Sequence, residues 1–83
     1  MHADPSDWLT ALGDALREAR LEMGLSQMRL GLDTDVHPNY VGGVERGQRN
    51  PTVRCIVQLS NKLDVGVPEL FARAEELVEK RRA

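Results

Sequence analysis

The sequence predicts an all-α domain. Apolar residues recur at spacings of three and four along the whole chain, and no segment of more than a few residues alternates apolar with polar or runs in β-branched residues. Pro5, Pro38 and Pro68 stand at the heads of such periodic segments, where proline fits the first helical turn. A chain of 83 residues holds one domain, expected over 1–83, and no large catalytic core. With 41% apolar and 29% charged residues the composition is that of a small globule. No apolar run approaches the roughly 18 residues of a membrane span.

The elements follow in order. Asp4-Pro5 opens the first helix, with Ser6 as an alternative cap, and Trp8, Leu9, Leu12, Leu16, Ala19 and Met23 form its stripe until Gly24 ends it. Ser26 caps a second, two-turn helix in which Met28, Leu30 and Leu32 supply apolar contacts before Asp33-Thr34-Asp35 breaks it. His37-Pro38 opens a third short helix carrying Tyr40, Val41 and Val44 inward, closed by Gly47. Two short helices joined by a tight turn read as helix-turn-helix. After the loop Gly47-Gln48-Arg49-Asn50-Pro51, Thr52 caps a fourth helix whose Val53, Ile56, Val57 and Leu63 share a face, with Cys55 packed near it. Pro68, at the first helical position, starts a fifth helix bearing Leu70, Phe71, Ala74, Leu77 and Val78, and the charged end Glu79-Lys80-Arg81-Arg82 frays.

Composition also bounds chemistry. The single cysteine permits no internal disulfide, and the opening MHADPSDW lacks the basic and apolar regions of a signal peptide, so a cytoplasmic location is expected. Two histidines and one cysteine do not furnish a structural metal site; no metal, cofactor or small-molecule substrate is expected. No carboxylate pair, no nucleophile with a base and no Gly-rich phosphate loop is placed to react, so the chain is not expected to be an enzyme.

The net charge of -2 weighs against a nucleic-acid partner until it is resolved by segment. Residues 1–25 carry two arginines against five acids, whereas 26–55 carry four against three. From Arg46 to Leu63 there are Arg46, Arg49, Arg54 and Lys62 and no acid. The acid lies mostly elsewhere, leaving a modest basic strip.

Read continuously, Leu12-Gly13-Asp14-Ala15-Leu16-Arg17-Glu18-Ala19-Arg20, Gly24-Leu25-Ser26-Gln27, Val36-His37-Pro38-Asn39-Tyr40-Val41 and Glu45-Arg46-Gly47-Gln48-Arg49-Asn50-Pro51 resemble the XRE/Cro repressor family over roughly 12–71. Within it, Tyr-Val-Gly-Gly-Val-Glu-Arg and the short final helix most resemble the controller proteins of restriction-modification systems. The resemblance implies a five-helix, lambda-repressor-like domain that binds double-stranded DNA as a transcriptional regulator. It also implies an ion pair between Arg20 and Glu45, phosphate contacts from the loop after the third helix, and a homodimer made by the C-terminal segment 68–83, with Leu70, Phe71, Ala74, Leu77 and Val78 at its interface.

Physical chemistry supports this at named residues. Ser26 and Gln27 place free N–H groups and an amide donor at a helix N-terminus, which suits a phosphate. Tyr40, Val41 and Val44 sit toward the core, so His37, Pro38, Asn39, Gly42 and Gly43 are left to point into the major groove. Asn39 suits adenine; Tyr40 either packs its ring or touches a thymine methyl; His37 either caps the helix or reaches a phosphate. Gly43 stands where relatives often carry a base-reading side chain, so either the backbone approaches the groove closely there or specificity rests on DNA shape. Arg46, Gln48, Arg49 and Asn50 offer donors to adjoining phosphates, and Arg29, in place of the capping-box glutamate, is expected to reach the DNA backbone. An alternative function is an antitoxin or adaptor that uses the same fold mainly to bind protein.

Overall fold

The computed structural model describes residues 3–82; residues 1, 2 and 83, the ends of the domain expected over 1–83, lie outside the described residues. Five helices follow one another: α1 (Pro5–Glu22), α2 (Gln27–Thr34), α3 (Pro38–Glu45), α4 (Val53–Leu63) and α5 (Val67–Arg82). There is no strand among the described residues.

Each start has a side-chain acceptor where the sequence placed one. Asp4, and not Ser6, caps α1: its carboxylate accepts from the Ser6 hydroxyl at 2.6 Å and from the Ser6 N–H at 2.8 Å. These bonds hold Asp4 below the ordinary carboxylate value. Ser26 Oγ accepts from the Arg29 N–H at 2.9 Å, and Thr52 Oγ1 from the Cys55 N–H at 3.1 Å. Gly24, with φ of 68°, follows the cap of α1. By contrast α2 and α4 end on left-handed aspartates, Asp35 at φ 61° and Asp64 at φ 54°. Asp tolerates this conformation better than most side chains because its short carboxylate bonds locally.

The core joins Ala11, Leu12, Ala15, Leu16 and Ala19 of α1 to Leu30, Val41, Val44, Ile56, Leu59, Leu63 and the inner face of α5. Several expected inward residues lie elsewhere. Met28 and Leu32 of α2 are 64% and 61% exposed, because an eight-residue helix resting one narrow face on its neighbours buries only Leu30 and Gly31. Met23 lies beyond the end of α1 and is exposed. Val53 and Val57 of α4 are turned out, and Leu59, absent from the expected face, is buried in their place.

Backbone contacts set how closely the helices meet. A Cβ on Gly13 would collide with the Val44 and Glu45 carbonyls, so α1 touches the end of α3 directly. A Cβ on Gly31 would stand 2.5 Å from the Val36 carbonyl oxygen, which explains the tight α2–α3 turn. Helix α5 begins one residue before Pro68 and does not fray at 79–82: it continues to Arg82, and Arg81 pairs with Asp14 of α1. Leu70, Ala74 and Val78 have no exposed surface at all. These three expected interface residues are therefore core residues of the chain itself; Phe71 is exposed and Leu77 half-buried.

Candidate nucleic-acid interface

The site is assembled around one carboxylate. Glu45, at the last position of α3, accepts from Arg20 Nε at 2.7 Å and Nη2 at 3.0 Å, with the two side chains 8% and 2% exposed. This is the ion pair the resemblance implied. Arg20 Nη1 also donates to the Leu25 carbonyl at 2.7 Å, tying in the α1–α2 turn. The bonds it donates to Glu45 hold the Arg20 guanidinium above the ordinary arginine value, against the desolvation that burial imposes. Gln27, at the head of α2, donates from Nε2 to Glu45 Oε1 at 3.0 Å. One carboxylate thus fixes α1, the turn, α2 and α3, and no buried side-chain polar atom among the described residues is left without a partner.

Gln27, expected only as an outward donor, is therefore half-buried and spends one N–H inward. Arg29 leans on Asp33, Nη1 to Oδ1 at 3.4 Å, and Asp33 also meets Lys62 Nζ of α4 at 3.2 Å. An acceptor one helical turn away draws the Arg29 guanidinium along α2, although its side chain remains 60% exposed.

At the head of α3, His37 supplies the cap, its Nδ1 accepting from the Asn39 N–H at 3.1 Å. Asn39 is exposed on the first turn. The Tyr40 ring packs partly on the core and its hydroxyl donates to the Asn50 carbonyl at 3.3 Å, which ties the loop to α3. The expectation that Gly42 and Gly43 face outward bare is not met: both are buried. Side chains from outside the helix cover them: Gln27 Oε1 and Arg46 Nη1 over Gly42, and the Arg49 stem over Gly43. The space for a close approach of DNA to the Gly43 backbone is taken.

The chain leaves α3 through a Schellman turn, with the Gly47 N–H donating to Val44 at 3.0 Å and the Gln48 N–H to Gly43 at 2.9 Å. Gly47 adopts φ of 73°, and a Cβ there would meet Thr10 of α1. This turn sends Gln48, Arg49 and Asn50 back beside the end of α3, all exposed. Arg46 Nε donates to Gln48 Oε1 at 3.1 Å, whereas Arg46 and Arg49 have no carboxylate within ion-pair distance among the described residues. Two uncompensated guanidiniums thus flank the outer face of a rigidly held short helix. The partners missed by sequence reasoning, Leu25, Asn50 and Lys62, contribute a main-chain carbonyl or a surface charge, and neither has a spacing signature. Among the described residues no group of three His, Cys, Asp or Glu is arranged to hold a metal, and no helix is long and apolar enough to cross a membrane.

Five helices with a short pair locked to the first, a capped outer helix and basic loop residues beyond it define a helix-turn-helix protein. The family model HTH_3, Helix-turn-helix, matches residues 16–70, and the chain belongs to that family. Its relatives include Control protein C.SmaI of Serratia marcescens, 36% identical over 62 residues covering 75% of this chain and 74% of that protein. Control protein C.BamHI of Bacillus amyloliquefaciens is 34% identical over 60 residues, covering 71% and 74%. Among solved structures the chain is similar to the restriction-modification controller protein C.AhdI from Aeromonas hydrophila, with a TM-score of 0.73 and 45% identity over 75% of this chain and 94% of that one.

Proposed function

We propose that this chain is a sequence-specific DNA-binding transcriptional regulator of the controller type, a homodimer that sets α3 of each subunit into successive major grooves of a palindromic operator. The observation that carries the reading is the buried Arg20–Glu45–Gln27 knot, which immobilises α3 while Arg46 and Arg49 stand beside its outer face without a carboxylate partner. Asn39 on the exposed first turn is the base-contacting residue, and Arg46, Gln48, Arg49, Asn50 and the heads of α2 and α3, with Gln27 and His37, contact phosphates. Half-sites lie about one helical turn apart. The relatives' description as control proteins supports regulation, and the reading gives the chain a binding role with no catalytic step. The single domain 1–83 includes α5, whose inner face completes the core. The dimer surface is therefore sought among the apolar side chains left exposed, which include Val53 and Val57 on α4 and Phe71 on α5 besides Leu21, Met23, Met28 and Leu32.

The test is a gel shift against the DNA upstream of the protein's own gene over a range of salt. Arg49→Ala is expected to weaken binding to every sequence alike and to lower the salt slope by about one. Loss confined to one operator base pair would refute the phosphate role. Binding by the wild-type chain that is only weak and abolished by modest salt would favour the adaptor reading.

A further inference from the structure

The most unusual feature of the outer face of α3 is a side chain that does not belong to the helix. A Cβ built on Gly43 would stand 2.6 Å from Arg49 Cγ, with Arg49 Nε and Cδ at 3.5 and 3.6 Å. Any residue other than glycine at this position must displace the Arg49 stem at Cγ, near the start of the side chain and not at its far end. The backbone on either side of Arg49 is pinned as well. The Gln48 N–H is bonded to the Gly43 carbonyl at 2.9 Å, and the Asn50 carbonyl accepts from the Tyr40 hydroxyl at 3.3 Å. The main chain on both sides of Arg49 is thus held on α3, and its stem lies over the Gly43 backbone between those two bonds.

Two considerations make the arrangement purposeful. Glycine in the interior of an eight-residue helix weakens that helix relative to alanine, and α3 carries two in succession. The loss is offset if the absent side chains are what the surface needs. An arginine stem also has several rotatable bonds whose freedom is lost on binding, so a stem already seated gives up less when the guanidinium meets its ligand.

We propose that Gly43 is a positioning residue of the DNA-binding surface: its missing side chain is the slot that seats the Arg49 stem, so that a guanidinium delivered from the loop stands where a helix side chain would project. This rests on the reading of α3 and its loop as the DNA-facing surface. Gly43 touches no DNA; it acts through Arg49.

The experiment has one arm without DNA and one with it. By NMR of the free protein, an NOE between Arg49 Hγ and Gly43 Hα is expected; its absence overturns the seat whatever the protein binds. In the second arm, Gly43→Ala, Arg49→Ala and the double variant are titrated with a duplex selected from a random pool by the wild-type chain, and each is melted. Gly43→Ala is expected to keep or raise Tm yet to weaken binding and lower the salt slope toward that of Arg49→Ala. The double variant is expected to fall short of the product of the two single losses by about threefold or more, the range for residues in contact. Multiplicative losses, or a Gly43→Ala protein that binds as the wild type does, overturn the proposal. If Gly43→Ala does not fold, Arg49→Met serves instead: it keeps the stem and should retain the NOE while binding as Arg49→Ala, and loss of the NOE refutes the slot. A wild-type chain that shows the NOE but selects no duplex refutes the DNA-facing reading and this inference with it.

Discussion

Glu45 concentrates more consequence than any other side chain, because two guanidinium bonds and one amide bond converge on it in a dry site. Removing Arg20 would leave that carboxylate buried with only Gln27 for a partner. Arg20→Ala is therefore expected to cost about 3 kcal/mol or more, which for a domain of this size lowers Tm by roughly 12 °C or more, and to weaken DNA binding along with it. An unchanged melting curve would mean the pair does not hold the fold. Glu45→Gln, which keeps the shape and an acceptor, should be milder than Arg20→Ala in the same assay. At His37 the cap and any role toward DNA separate by substitution. His37→Ala should lose about 1 kcal/mol of stability, and His37→Ser should restore it in thermal melts without restoring affinity if the ring meets a phosphate. The pair Arg20–Glu45 was legible only through the resemblance, since 25 residues separate its members and no local pattern links them. The His37 cap was legible as one option at that position, and Nδ1 accepts from the Asn39 N–H as a cap does. The covered glycines were not legible, because what fills a glycine's empty space depends on where the loop returns.

The ends of the helices could be read from the chain because caps are local chemistry: Asp4, Ser26 and Thr52 all bond N–H groups two or three residues on. Faces were harder. Val53 and Val57 fit an apolar stripe by spacing, yet the stripe that α4 buries runs through Cys55, Ile56, Leu59 and Leu63, one position around the helix. Helices α2 and α4 are joined at the surface through Asp33, whose carboxylate is held below its ordinary value first by the Lys62 bond, with Arg29 adding to it. A lowered folded-state value means that the pair's contribution is present above the ordinary carboxylate range and is lost as pH falls through the folded value. Asp33→Asn is thus expected to melt below the wild type at neutral pH, with the gap closing under strong acid, below the ordinary value of 3.8. A gap that persists there would assign the effect to something other than this charge.

Across the whole molecule, packing and charge divide the labour. Helix α5 lies along α1 with Leu70, Ala74 and Val78 sealed in, so the C-terminal helix first completes the monomer and leaves less apolar surface for a partner than its sequence suggested. Val53, 76% exposed, and Val57, 39% exposed, lie one turn apart on the same side of α4 and leave an apolar strip on the surface. Val57→Glu is expected to shift the protein from dimer to monomer in analytical ultracentrifugation and to weaken operator binding, while leaving the far-ultraviolet circular dichroism of the chain intact. A dimer that survives this charge would place the interface on another face. The fold class and five-element order were readable from periodicity, whereas the available surface was not, since it depends on which side of α5 the chain consumes for itself.

The seating of Arg49 on Gly43 also bears on how such a protein changes over generations. The Arg49 guanidinium is carried by a returning loop, its stem lying over Gly43, whereas α3 is held upright by the buried pair Arg20 and Glu45. On the proposed reading, substitutions among the exposed Gln48, Arg49 and Asn50 alter how tightly any duplex is held, whereas a substitution at the exposed Asn39 alters which duplex is preferred. Neither disturbs the buried pair that holds the fold. Lineages descended from one ancestor can thereby keep a common scaffold while ceasing to recognise one another's promoters.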